Sequence, residues 1–243
     1  MTGVGVGAPW RKSVDDPPGA DSLLPVILYV DIEHAKGYAR ERGDVLRAAR
    51  TRITYNLEDV VQDDVHLIRY DRVDAAAVER LGARAIFISG NSGDPADYGD
   101  ELTPFLEVLA SAALPTFGFC GGHQMIARAH GVDLELVGTY VDADTGETKR
   151  TFEFGYEPVH VEPHPLFDGV GSAPIVRHAH SWLVPHTPEG FEVLGRTELT
   201  PIQVMVDDDR RQVGTQFHPE WWTDEHPAGR TMIENFVSWA GLG

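Results

Sequence analysis

The chain has 243 residues, a formal net charge of −18 and a single cysteine. The length suits one large domain. The acidity argues against nucleic acid and anionic membrane surfaces as partners, because phosphates are bound by clustered Lys and Arg.

The lone thiol excludes an internal disulfide within this sequence and fits a reducing cytoplasm. No apolar run reaches the length of a membrane span. Residues 1–22 hold several Gly and Pro and no basic end followed by an apolar run. They read as a mobile leader rather than a signal peptide, with the folded domain over 23–243.

The apolar, β-branched run PVILYVDI (25–32) predicts a buried strand, followed by a helix over roughly 35–49. VHLIRYD (65–71) and ARAIFISG (83–90) predict two more strands. Between them DAAAVERLG predicts a helix stopped at Gly82. DELTPFLEVLASAAL (100–114) predicts a helix that begins near Thr103, since Pro104 suits a first turn. PTFGF (115–119) is a strand, and GGHQMIARAHG (121–131) a helix ending at Gly131. Strands alternating with helices imply a parallel sheet covered on both faces.

Beyond Gly131 the chain turns strand-rich. DLELVGTYV, TFEFGYEPVHV, FEVLGRTEL, PIQVMVDDD and RQVGTQFHPE all read as strands, with a hairpin turn at DDDRR (207–211). The helix AGRTMIENFVSWA follows. The expectation is one α/β domain with a mostly parallel central sheet and an added antiparallel β region in its C-terminal half.

Two stretches carry chemistry. In PTFGFCGGHQ the strand delivers Cys120 to the carboxyl edge of the sheet, where open α/β folds place their sites. Glycines beside it permit a strained strand-to-helix turn, and a helix N-terminus favours a thiolate. In QFHPE, Pro219 restricts His218 to extended backbone. His218 and Glu220 then project to one side as a base and its orienting carboxylate. The histidines of HVEPH (His160, His164) and RHAHSWLVPH (His178, His180, His186) lack a metal-ligand spacing, so no metal is expected.

GFCGGHQ resembles the G-x-C-x-G-x-Q signature of the class I (triad) glutamine amidotransferases, and QFHPE resembles their histidine–glutamate motif. FISGNSGDP (87–95) is similar to the family's oxyanion loop. Residues 178–205 are similar to a segment of the GMP synthetase amidotransferase domain. The resemblance spans roughly residues 25–240 and implies a flavodoxin-like three-layer sandwich with no cofactor.

By the same resemblance Cys120 is the nucleophile, His218 the general acid/base and Glu220 its orienter. The substrate site holds Gly90, Asn91, Gly121, Gln124, His180, Ser181 and Trp182, with the Asn91 and Gly121 N–H groups as oxyanion donors. The substrate is glutamine, and the partner is a separate synthetase or ligase that accepts ammonia. The alternatives are a self-sufficient γ-glutamyl amide hydrolase and a non-catalytic regulatory subunit.

Three positions depart from the family's pattern. Gly121 stands where Leu or Phe is common, which predicts a more open pocket wall or a more mobile loop. Asn91 stands where many members carry Gly. Trp182 replaces the Asp of GMP synthetases.

Overall fold

The computed structural model describes residues 26–242, so the expected leader and the start of the domain at residue 23 lie outside the described residues. The first half runs β1 (Val26–Asp31), α1 (Ala35–Tyr38), α2 (Gly43–Val61), β2 (Val65–Arg69), α3 (Ala75–Arg80), β3 (Ala83–Ile88), α4 (Thr103–Ser111), β4 (Thr116–Phe119) and α5 (Gly121–Ala129). The second half runs β5 (Glu135–Leu136), β6 (Thr139–Val141), β7 (Thr148–Arg150), β8 (Glu153–Pro158), β9 (His160–Val161), β10 (Ile175–His180), β11 (Trp182–Leu183), β12 (Glu192–Arg196), β13 (Val204–Asp207), β14 (Gln212–Thr215) and α6 (Ala228–Trp239).

Eight strands form the central sheet in the order β2-β1-β3-β4-β14-β13-β12-β9. The first five are parallel to their neighbours. Strands β13, β12 and β9 extend the sheet antiparallel. The parallel part has the flavodoxin-like doubly wound order, in which the strand order reverses around β1.

Both faces of the sheet are covered. Ile27, Phe117 and Val213 bury against Ile53 and Leu57 of α2 and Ile233 and Phe236 of α6. Leu28, Val30 and Ile86 bury against Phe105 and Leu109 of α4 and Met125 and Ile126 of α5. Alternate residues of β1 therefore feed opposite cores, which is why that strand is apolar throughout.

The helix expected over 35–49 is two helices. A Cβ on Gly43 would stand 2.0 Å from the Tyr38 carbonyl oxygen, so the chain doubles back on itself where only glycine fits. Helix α2 then runs on to Val61, because Ile53, Leu57 and Val61 bury one stripe at four-residue spacing. The DDDRR turn forms as expected. It joins β13 to β14, the Asp207 carboxylate accepts the Arg210 N–H at 2.9 Å, and Arg211 takes a positive φ of 53°.

The antiparallel region is larger than expected. β10 pairs with β8, β11 with β5, and β6 with β7, each pair a separate two-stranded sheet. Among the described residues no helix is long and apolar enough to cross a membrane.

Candidate active site

Cys120 follows directly on β4, at the carboxyl edge of the parallel strands. Its backbone sits at φ 49°, ψ −98°, a strained conformation for a residue with a side chain, costing about 1–3 kcal/mol. The turn is tight because its neighbours are glycines. A Cβ on Gly118 would lie 2.4 Å from the Gly122 carbonyl carbon, and one on Gly122 would lie 2.6 Å from the Ile88 carbonyl oxygen. The Cys120 N–H donates to Thr215 O at 2.7 Å, which ties the turn to the end of β14. The side chain borders a pocket of about 740 Å³ that His218, Gly90, Asn91, Gln124 and His180 also line.

His218 reaches the same pocket from the chain beyond β14. Its N–H donates to Arg177 O at 2.8 Å, and its Nδ1 pairs with Glu220 Oε1 at 2.8 Å. The expected partnership forms, although not on an extended strand. Residues Pro219–Trp221 make a 3-10 turn, and the turn brings the carboxylate under the ring. Burial opposes charge on His218, but attraction to Glu220 and Cys120 and hydrogen bonds to both push its pKa up to about 10. A Cβ on Gly90 would stand 2.6 Å from His218 Cε1 and 3.6 Å from Cys120 Cβ, so the backbone at Gly90 closes over both side chains.

The loop after β3 is held from beneath. Buried Glu33 accepts hydrogen bonds from the Ser92 N–H at 2.8 Å and the Ser92 hydroxyl at 2.9 Å. Asn91 Nδ2 donates to Tyr98 Oη at 2.8 Å, and the Tyr98 hydroxyl donates to Ile32 O at 2.7 Å. The Asn91 side-chain oxygen lies 2.2 Å from where a Cβ on Gly121 would stand. The expectation of a more open wall at Gly121 is therefore corrected, since the Asn91 carboxamide fills the space. Asn91 is also not among the residues with positive φ, so its backbone does not require the Gly that many family members carry there.

Gln124, one turn into α5, donates to Trp182 O at 3.1 Å and Gln216 Oε1 at 3.2 Å. Gln216 Nε2 lies 3.6 Å from Cys120 Sγ. Gln124 thus braces the segment His180–Trp182 against the wall beside the thiol. The Ser181 carbonyl accepts from the Val137 N–H at 2.9 Å, and the Arg150 guanidinium lies 5.1 Å from the Trp182 ring centroid.

His180 turns its Nε2 to Glu153 Oε2 at 2.8 Å. Glu153 also accepts from Thr197 Oγ1, Thr200 Oγ1 and Gln203 Nε2. Burial works against its ionisation, yet the hydrogen bonds from His180, Thr197 and Thr200 bring its pKa down to about 2. Of the histidines weighed as ligands, only His178 and His180 converge, with Glu153, each offering an atom within 4.8 Å of the others. The Glu153 oxygens are committed to four protein donors, while both His178 ring nitrogens and the His180 Nδ1 are buried without a hydrogen-bond partner among the described residues.

Sequence reasoning missed Arg50, Gln216, Glu153 and the acidic pair Asp31 and Glu33. The last two carried a signal, since they end a strand at the edge where α/β folds build their sites.

A sequence profile described as glutamine amidotransferase class-I matches residues 49–239, a span that contains Cys120, His218 and Glu220. The chain belongs to the class I glutamine amidotransferase family. It is 32% identical over 197 residues to the pyocyanine-specific anthranilate synthase component 2 of Pseudomonas aeruginosa, covering 77% of this chain and 89% of that protein. It is 35% identical over 162 residues to a glutamine-hydrolysing GMP synthase of Natranaerobius thermophilus. That match covers 66% of this chain but only 28% of the synthase.

Among solved structures, a GMP synthase subunit-like protein of Thermoplasma acidophilum superposes with a TM-score of 0.68 at 20% identity, covering 89% of this chain and 94% of that one. A glutamine amidotransferase of Methylobacillus flagellatus gives 0.63 at 16%, covering 91% and 96%. At such identities these two matches speak for the fold alone.

Proposed function

We propose that this class I amidotransferase hydrolyses the side-chain amide of glutamine through a thioester on Cys120. Cys120 and His218 line one pocket, and buried Glu220 pairs with His218 Nδ1; that arrangement carries this reading. The Cys120 thiolate attacks the amide carbon, and the carbonyl oxygen becomes an oxyanion facing the N–H groups of Asn91 and Gly121. His218, protonated and held by Glu220, gives its proton to the departing ammonia. Water, deprotonated by the now neutral His218, attacks the thioester and releases glutamate and the thiolate. Gly90, Gln124, His180, Ser181 and Trp182 shape the wall that receives the amino-acid end of the substrate.

The ammonia goes to a separate synthetase or ligase. The Pseudomonas relative supports this reading, being named as one component of a synthase. The filled space at Gly121 removes the sequence argument for a larger leaving amine.

Glutamate release from glutamine, measured beside Cys120→Ala, tests the proposal. Turnover that disappears in the variant is the expected result. Equal turnover in both proteins would refute the cysteine mechanism.

A further inference from the structure

The Gly90 carbonyl is gripped by two side chains. Arg50 Nη2 donates to it at 2.5 Å and Ser89 Oγ at 2.8 Å. Arg50 is fixed in turn, because its Nε donates to Asp31 Oδ1 at 2.9 Å. The other Asp31 oxygen accepts the Tyr38 hydroxyl at 2.6 Å, and Glu33 Oε2 lies 4.0 Å from Arg50 Nη2. Arg50, Asp31 and Glu33 are all buried. Burial disfavours the Arg50 charge, and the Asp31 carboxylate that accepts its hydrogen bond offsets this.

A guanidinium is costly to bury, and a loop carbonyl can be satisfied far more simply. What Arg50 adds is direction. A peptide unit is planar and trans, so the N–H of residue 91 points opposite to the carbonyl of residue 90. With that carbonyl drawn to Arg50, the Asn91 N–H is turned away from the Arg50–Asp31 network. It has no acceptor among the described residues. A Cβ on the adjoining Gly90 would fall 2.6 Å from His218 Cε1 and 3.6 Å from Cys120 Cβ. A peptide turned over would present the carbonyl lone pairs to the oxyanion instead.

We infer that Arg50 is a positioning residue, which holds the Gly90–Asn91 peptide so that the Asn91 N–H meets the oxyanion formed on Cys120. The inference rests on the acyl-transfer reading above and extends it to a residue that borders the same pocket but makes its hydrogen bonds to Asp31 and the Gly90 carbonyl.

Arg50→Lys tests it. Lysine keeps the charge beside Asp31 but lacks the fork that reaches Asp31 and the Gly90 carbonyl together. Loss of an oxyanion donor typically costs about 10²–10³ in rate, and Ser89 remains as a partial anchor. The expected result is a kcat for glutamine reduced about tenfold to a hundredfold with KM nearly unchanged. Alkylation of Cys120 by iodoacetamide develops no oxyanion and should keep the wild-type rate. Equal losses in hydrolysis and alkylation would make Arg50 a plain fold element and overturn the inference, as would an undiminished kcat.

Should Arg50→Lys fail to fold, Ser89→Ala removes the second donor and carries the same prediction with a smaller loss of kcat. Wild-type glutaminase activity reads the proposed function by itself. If the wild type leaves glutamine untouched, p-nitroaniline release from γ-glutamyl-p-nitroanilide supplies the same ratio of variant to wild type.

Discussion

Asn91 and Gly121 share one space, with the Asn91 side-chain oxygen 2.2 Å from the position a Cβ on Gly121 would take. Two departures from the family's sequence pattern are thus a single exchange, in which side-chain volume moves from one wall of the pocket to the facing loop. Gly121→Leu alone should overpack the site. Overpacking costs about 1–3 kcal/mol, and the same loss in the transition state is roughly a tenfold to hundredfold fall in glutaminase rate. Asn91→Gly in the same chain should restore most of it. A double-mutant cycle over the four proteins checks this, and additive losses would show that the two positions are independent.

The Glu220 carboxylate holds His218 protonated. Replacement by the isosteric Gln removes the charge that raises the imidazolium pKa, so the proton is lost at lower pH. The alkaline limb of kcat/KM, which reports the free enzyme, should therefore move to lower pH in Glu220→Gln. The pH profile of kcat/KM reads this directly, and a limb that stays in place would assign the alkaline loss to another group.

Gly90 lies against both Cys120 and His218. Gly90→Ala places a methyl group 2.6 Å from His218 Cε1 and should displace the ring from its working position. Small misplacements of this kind cost roughly a hundredfold in rate. Thermal melting should change little beside that loss. A fully active Gly90→Ala would mean that the loop moves freely enough to absorb the methyl.

Glu153 links stability to pH. Its folded pKa is lowered from 4.5 to about 2 by the hydrogen bonds it accepts, so its stabilisation is complete above pH 4.5 and drains away as pH falls toward 2. The melting temperature of the wild type should drop steeply across that window. Glu153→Gln should start lower and fall less. Parallel curves for the two proteins would remove Glu153 from the acid transition.

The parts of the site carried by local chemistry could be read from the chain. Cys120 announces itself through the glycines that its turn requires, and His218 with Glu220 through the intervening proline. Arg50, Glu153 and Gln216 could not be read in this way. Arg50 meets Gly90 across 40 residues and Gln216 meets Cys120 across 96, and nothing in their neighbourhoods marks them. Strand β10 was hidden for a related reason. Its alternation buries Val176, His178 and His180, so two of the three inward positions are polar and the apolar pattern is broken. Thr51, Ile53 and Thr54 likewise masked the length of α2, since β-branched residues lower helix propensity and packing against β2 and α6 overrides it.

The bond from the Cys120 N–H to Thr215 O has a consequence in time. Strand β14 enters the sheet between β4 and β13, so the strand that ends at the thiol waits for a neighbour synthesised more than ninety residues later. Contacts so distant in sequence close late in folding. A ribosome that has delivered β1 to α5 has delivered a thiol without its imidazole, its carboxylate or the strand that fixes its turn. The three residues of the site can meet only after the chain has been made through Glu220.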